Sequence, residues 1–266
     1  AAGCDGDAGQ RARQALAYAR RLAGAGAGLF AEHPGLARQL ESMATTSPQQ
    51  LAHEFLSGHW QPLHAGDVIG AFASAGAQWI GSATPIENID ALSVPGQVRA
   101  LLREAASPAL AETVRDAARH QSLRRDLFQR GGGALDASAH LAALDALEWI
   151  AAPGAPAGGQ RVLDTRIGPV QVPEALSGPL LRRLAQGPAS QAELRRLAPF
   201  DTRADLLNQV GQALLWDGCV HPRAAVPAEP ARIERLCRQL ERRTPPRWQP
   251  WPQAGSALPQ AATSRT

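Results

Sequence analysis

Apolar residues along the first 150 positions recur at helical spacing, in short stretches divided by Gly, Pro and Ser. In "GQRARQALAYARRLA", Ala12, Leu16, Ala19 and Leu22 fall on one side while Arg11, Gln14, Arg20 and Arg21 fall elsewhere, which predicts an amphipathic helix. "TSPQQLAHEFLSGHW" predicts another, with Ser47 as cap, Pro48 at the first helical position, Gln50 where a capping box needs an amide, and Gly58 as the stop. Leu51 and Phe55 share a face, and Trp60 reads as a core aromatic. "LHAGDVIGAFASAG" turns Val68, Ile69 and Phe72 inward and ends at Gly76, and "AQWIGSA" is short enough for one strand or an extended link. A helix covers Val98, Leu101 and Leu102. A longer one starts at Ser107-Pro108, carries Leu110, Val114, Ala117 and Ala118 inward, and closes at the glycines after Arg130. "DASAHLAALDALEWI" predicts the last helix of this region.

The pattern then changes. Residues 151–160, "AAPGAPAGGQ", are small and Pro/Gly-rich and make the best domain boundary. An extended segment, "RVLDTRIGPVQVP", precedes three helices and the short apolar run "CVHP", with a capping box at Ser190 and Glu193. Three helices flanked by extended segments have the order of a winged helix. One more helix fits residues 229–243, and residues 244–266, rich in proline, are expected to be a disordered tail. The predicted fold is mainly α: a helical domain over residues 1–150, a linker at 151–160, a small winged-helix (α+β) domain at 161–228, then helix and tail.

The glycines of "RRLAGAGAGLF" imitate a nucleotide loop, but such a loop needs a buried strand before it and a helix after it. Here the upstream flank is helical and no strand ending in Asp or Glu follows, so the glycines end a helix.

At 44% hydrophobic residues the chain can bury a proper core, and its longest apolar runs fall short of the roughly 20 residues a bilayer span needs. With no signal-peptide pattern, the expectation is a cytoplasmic, membrane-free protein. All 27 basic residues are arginines, interleaved with Asp and Glu to a net charge of +3, which is poor material for neutralising a phosphate backbone. Cys4, Cys219 and Cys237 lack metal or redox spacing and read as reduced thiols.

Candidate chemistry is sparse. His53, His59 and His64 are separated by six and five residues across Gly58 and Pro62, so nothing forces convergence on a metal, and no metal site is assigned. No "GxSxG" elbow or activated cysteine is present. The run "RDAARHQSLRRDLFQR" sets Arg115, Arg119, Arg124, Arg125 and Arg130 along one predicted helix with Asp116 and Asp126. It reads either as a solvated face or as an anion or domain-docking surface. The third C-terminal helix offers only Arg203 against Asp205 and Asp217, so nucleic acid is disfavoured and protein docking preferred.

"LAHEFLSGHWQPLHAGDVIGAFASAGAQWIGSA" with "VRDAARHQSLRRDLFQRG" resembles the methyltransferase regulatory domain that follows the catalytic domain of certain bacterial SAM-dependent methyltransferases. His53 and Glu54, Pro62, Phe72, Ala75-Gly76 and Trp79-Ile80-Gly81, then Arg119, Leu123, Arg124 and Leu127, carry the resemblance. The segment from "LDTRIGPVQVP" to "GCVHPRA" is similar to the C-terminal winged-helix domain of the same enzymes, a group that includes protein lysine methyltransferases.

The resemblance implies the C-terminal portion of a methyltransferase or a stand-alone relative of it, non-catalytic by itself. The cofactor SAM then belongs to an associated catalytic domain, in cis or in trans, and this chain has no catalytic, cofactor or metal residues of its own. Implied partners are that catalytic domain, a protein substrate and a second copy of the chain, with His53, Glu54, Arg119, Arg124 and Arg125 as docking residues. The alternative is a winged-helix transcriptional regulator that binds DNA.

Overall fold

A computed structural model describes residues 5–59, 61–242 and 248–259. Two compact units divide at residues 63 and 64. Trp60 lies outside the described residues.

The first unit holds α1 (Ala8–Gly24), α2 (Gly28–Glu32), α3 (Pro34–Met43) and α4 (Pro48–Phe55). Asp7 and Gln10 make a full capping box on α1, and Ser47 caps α4 by accepting from the Gln50 amide. The glycines after Arg21 do end a helix. Gly26 takes φ +77°, and the Gly26 and Ala27 amides donate back to the Ala23 and Leu22 carbonyls, a Schellman closure that a side chain at position 26 would strain. The core is small: Ala12, Leu51 and Ala52 with Leu16, Met43 and Leu56 against them. Arg20 clamps Glu41 through Nε and Nη2, fastening α1 to α3. Leu51 is buried, whereas Phe55, expected on the same face, is 45% exposed.

The second unit opens with α5 (Ala65–Ser74), β1 (Ala77–Ser82), a 3-10 turn (Pro85–Asn88), α6 (Asp90–Ser93), α7 (Val98–Glu104), α8 (Pro108–Arg119) and β2 (Asp126–Arg130). The helix expected to run from Ser107 to the glycines therefore stops at Arg119. His120 occupies the left-handed region at φ 49°, where its amide and that of Gln121 close the helix on the Ala117 and Asp116 carbonyls. Beyond this stop, β2 pairs antiparallel with β1, setting Trp79 opposite Phe128 with a bulge before Gly81. Phe72 stacks on Phe128 at 3.9 Å between ring centroids, half-exposed rather than buried.

Next come α9 (Ala137–Asp145), β3 (Glu148–Ala151), the hairpin β4 (Arg161–Thr165) and β5 (Gly168–Val172), α10 (Glu174–Ala185), β6 (Ala189–Ser190), α11 (Gln191–Leu194), α12 (Ala204–Trp216) and β7 (Val220–Pro222). The expected last helix thus ends at Asp145 and only its final residues, from Glu148, are strand: β3 forms the middle of a three-stranded sheet in the order β6-β3-β7. Residues 148–151 consequently belong with the elements C-terminal to the Pro/Gly-rich stretch 151–160, and the compact units do not divide there.

The principal core packs α10, α11 and α12 on this sheet through Trp149, Leu180, Leu181, Leu194, Phe200, Leu207 and Leu214. Gly211 lets α12 approach closely, since a Cβ there would stand 3.3 Å from the Trp149 ring. Trp149 donates its indole N–H to Gln191 Oε1 at 2.7 Å, satisfying both buried groups.

A final helix, α13 (Pro230–Glu241), precedes β8 (Trp248–Trp251) and β9 (Ser256–Pro259). The tail expected to be disordered over 244–266 is corrected for residues 248–259, which form a hairpin. Its hydrophobic residues supply the reason: Trp251 is buried against Ile150 and Ala152, and Ala257 against Ile233 and Cys237. Residues 244–247 and 260–266 of that tail, and residue 243 of the expected helix before it, lie outside the described residues. Among the described residues the molecule is mostly helical, with thirteen α-helices and small sheets whose strands all pair antiparallel.

Candidate functional site

The arginine-rich stretch folds into a network centred on Glu112, which is only 3% exposed in the middle of α8. Burying a carboxylate there requires cations on both sides. Arg115 gives one, pairing Glu112 Oε1 at 2.6 Å and reaching Asp90 on α6 with Nε and Nη2 at 2.8 and 2.9 Å. Arg124 gives the other. It donates to Glu112 Oε2 at 2.8 Å, to both oxygens of Asp126 at 2.8 Å, and to Asp116. Trp79 adds its indole N–H to Asp126 Oδ1 at 2.9 Å, so the network also fixes β1 against β2.

Arg119 is the most deeply placed cation, 4% exposed. Its Nη2 donates to the Ser93 hydroxyl at 2.7 Å and to the Glu87 carbonyl, and its Nε to the Ser93 carbonyl at 3.3 Å. Asp90 stands 3.9 Å away. Arg119 therefore staples α8 to the segment 87–93.

These contacts move proton affinities in readable directions. The Arg115 hydrogen bonds hold the Asp90 carboxyl below its ordinary value. Burial pushes the other way at Asp126, but hydrogen bonds from Arg124 and Trp79 prevail and lower it. At Asp116 burial wins and raises the carboxyl pKa. Burial also draws Arg119 down against the fields of Glu87, Glu112 and Asp90. For Arg124, hydrogen bonds to three carboxylates outweigh burial and strengthen its hold on the proton.

Of the five residues expected to dock a partner, the structure brings Arg119 and Arg124 together around this network and turns both inward. They act on the chain's own acids and carbonyls, the first of the two readings open for this stretch, and they do not lie on one continuous helix. Arg125, the next residue, is exposed and stands outside the network. His53 and Glu54 are exposed on α4, and His53 lines a shallow groove with Asp7 and Gln49. His59 follows α4 and His64 precedes α5. Among the described residues no three His, Cys, Asp or Glu side chains are grouped to hold a metal ion.

Sequence reasoning missed Glu112 and Asp90, because a carboxylate on a helix is by default a surface residue. The available signal was the i, i+3 pairing of Glu112 with Arg115 beside a second acid at Asp116. Cys219 offers no nucleophile: burial and Asp217, whose Oδ2 is 3.1 Å from Sγ, push its thiol up to about 12. Both described cysteines, Cys219 and Cys237, are free and buried.

The third helix of the C-terminal group buries one face, with Leu207, Val210, Gly211, Ala213 and Leu214, and leaves Asn208, Gln209 and Gln212 half-buried on the other. Ile86 of the 3-10 turn is a member of the core that contains Leu207, Val210 and Leu214, and Leu92 packs against it. Along α12 only Ala204, Asp205 and Trp216 are exposed. Arg203, just before it, pairs with Asp205. No helix among the described residues is long and apolar enough to cross a membrane.

Three comparisons bear on this arrangement. A family model described as a predicted methyltransferase regulatory domain matches residues 47–130, the span that holds α4 through β2 and thus the arginine network. An uncharacterized protein of Synechocystis sp., sll1526, is 28% identical over 216 residues, covering 80% of this chain. The match takes in 42% of that relative, so the chain spans well under half of its length. Among solved structures, PKMT2 from Rickettsia typhi is similar in fold with a TM-score of 0.54 at 13% identity, over 83% of this chain and 47% of that one.

Proposed function

We propose that this chain is the regulatory and substrate-positioning portion of a SAM-dependent methyltransferase, and that SAM and the reacting atoms belong to a catalytic domain in cis or in trans. The observation that carries the reading is the family match over residues 47–130, reinforced by the similar fold of PKMT2. In this reading α10, β6, α11, α12 and β7 form a winged helix that docks protein. A protein substrate, a second copy of the chain and a cytoplasmic setting complete the proposal.

The physical role of the arginine network is to hold a rigid platform. Arg119 fixes the segment 87–93, Ile86 of the preceding turn enters the core beside α12, and the two helical groups of the second unit move as one piece. Calorimetry tests the reading: the chain alone shows no micromolar heat with SAM, whereas a clear isotherm would place the cofactor site here and sink it. A DNA-binding regulator is the competing reading, and the pairing of Arg203 with Asp205 at the start of α12 weighs against it, since binding along a phosphate backbone needs free cations. Specific duplex binding that weakens steeply with salt would reverse that judgement.

A further inference from the structure

The arginines left out of the network mark a second feature of the same unit. A cleft of about 340 Å³ is lined by Leu123 and Arg125 from the segment entering β2, by Asp164 near the end of β4 and Arg166 from the β4–β5 turn, and by Trp216 at the end of α12. Unlike Arg115, Arg119 and Arg124, the side chains of Arg125 and Arg166 make no hydrogen bond or ion pair among the described residues. Glu87 also lines the cleft but is committed: its carboxylate accepts from Ser82 Oγ at 2.7 Å and from Gln121 Nε2 at 3.0 Å. Asp164 is therefore the acid of the cleft whose carboxylate is unengaged.

The apolar surface is just as specific. Leu123 is 73% exposed, and Trp216 is 41% exposed with its ring held by an indole N–H donated to the Asp164 carbonyl at 3.1 Å. Two unpaired guanidiniums call for carboxylates, which they bind in forked geometry. An anchored indole beside an open leucine calls for an apolar or aromatic side chain. Asp164 and Glu87 oppose a chain of phosphates, each bearing a charge, but tolerate a ligand whose charges are separated by neutral groups.

We propose that this cleft binds an extended polypeptide segment in which a carboxylate side chain neighbours an apolar one. The proposal does not rest on the methyltransferase reading, because it concerns recognition by the chain itself.

The experiment is fluorescence anisotropy of the whole chain with a fluorescein-labelled probe peptide, Leu-Glu-Phe-Glu-Leu-Lys. Saturable binding that weakens with added salt is expected. Arg125→Glu and Arg166→Glu should each reduce affinity by about tenfold or more. Arg130→Glu, an exposed position on β2 outside the cleft with the same charge change, should leave it unchanged. Unaltered thermal unfolding of these surface variants keeps the comparison clean.

Any of four results overturns the proposal: no saturable binding to the unaltered chain, an equal loss in Arg130→Glu, equal affinity for the peptide with Gln in place of Glu, or tighter capture of an oligothymidine at the same salt. The first of these would leave the methyltransferase reading standing, and a SAM isotherm would leave the cleft standing.

Discussion

On α8 the side chains withdrawn from water are Glu112 and Arg119, whereas on α12 and just before it they include Phe200, Leu207 and Leu214. Both regions belong to one compact unit, yet one is closed by charge and hydrogen bonds and the other by hydrocarbon. The apolar region tolerates error in direction, because dispersion and the release of water depend on area and fit. The ionic region does not. Its members were stripped of water, so each must find a partner at the right angle, and removal of one strands the rest. A region closed in this way is held in one arrangement, which suits a platform meant to present a surface.

The difference can be probed by substitution. Phe200→Ala should have the largest effect, a loss of about 3–5 kcal/mol on urea unfolding, because its ring is fully buried and leaves a cavity. That loss should be the same at pH 7 and pH 4. Glu112→Gln keeps the shape and removes the charge, leaving Arg115 and Arg124 in excess. Those two arginines are 23% and 15% exposed and retain some water, so the expected loss is about 2–3 kcal/mol. A loss below that of an ordinary surface substitution would show that the network is not what holds α8.

Acid should separate the regions further. Asp90 and Asp126 are held below the ordinary value of 3.8, so their stabilisation is complete above that value and is lost as pH falls below it through their folded values. Asp116, raised by burial, has the opposite sense: its contribution is complete below 3.8 and disappears as pH rises through its folded value, which blunts the acid loss. Unfolding midpoints measured in Asp126→Asn and in the unaltered chain should converge as pH falls below 3.8 and Asp126 protonates in the folded protein. Parallel curves would contradict an ionic origin.

The smallest effect is expected at His120. A residue with a Cβ is strained there at φ 49°, at the end of α8, and His120→Gly should raise stability by about 0.5–1 kcal/mol, read as a higher urea midpoint.

That same histidine explains where helical periodicity misleads. With no glycine after Arg119 the chain carries no local stop, and the arginines up to position 130 appear to continue one helix. The stop exists because residues 126–130 pair with β1, and pairing partners distant in the chain leave no mark in a short window. Strand β3 hides for the same reason, inside an apparently helical apolar run, since β6 and β7 must arrive before it has neighbours. Leu110, expected inward on α8, is 47% exposed while Glu112 is buried, an inversion that hydrophobic periodicity cannot foresee. The C-terminal proline-rich segment conceals a hairpin because its stability comes from Trp251 meeting Ile150.

What the sequence by itself determined is local: the caps at Ser47, Ser107 and Ser190, the glycine closure after α1, the β4–β5 segment, the helices of both regions and, through its motifs, the likeness to a methyltransferase regulatory domain. These arise from backbone groups satisfied within a few residues, and such rules are written in neighbouring letters. Tertiary structure alone decided which arginines are structural and which are free. Arg119, Arg124 and Arg125 carry the same guanidinium, and only the arrival of Ser93, Glu112 and Asp116 from other turns and helices removed two of them from the surface and left the third in an open cleft.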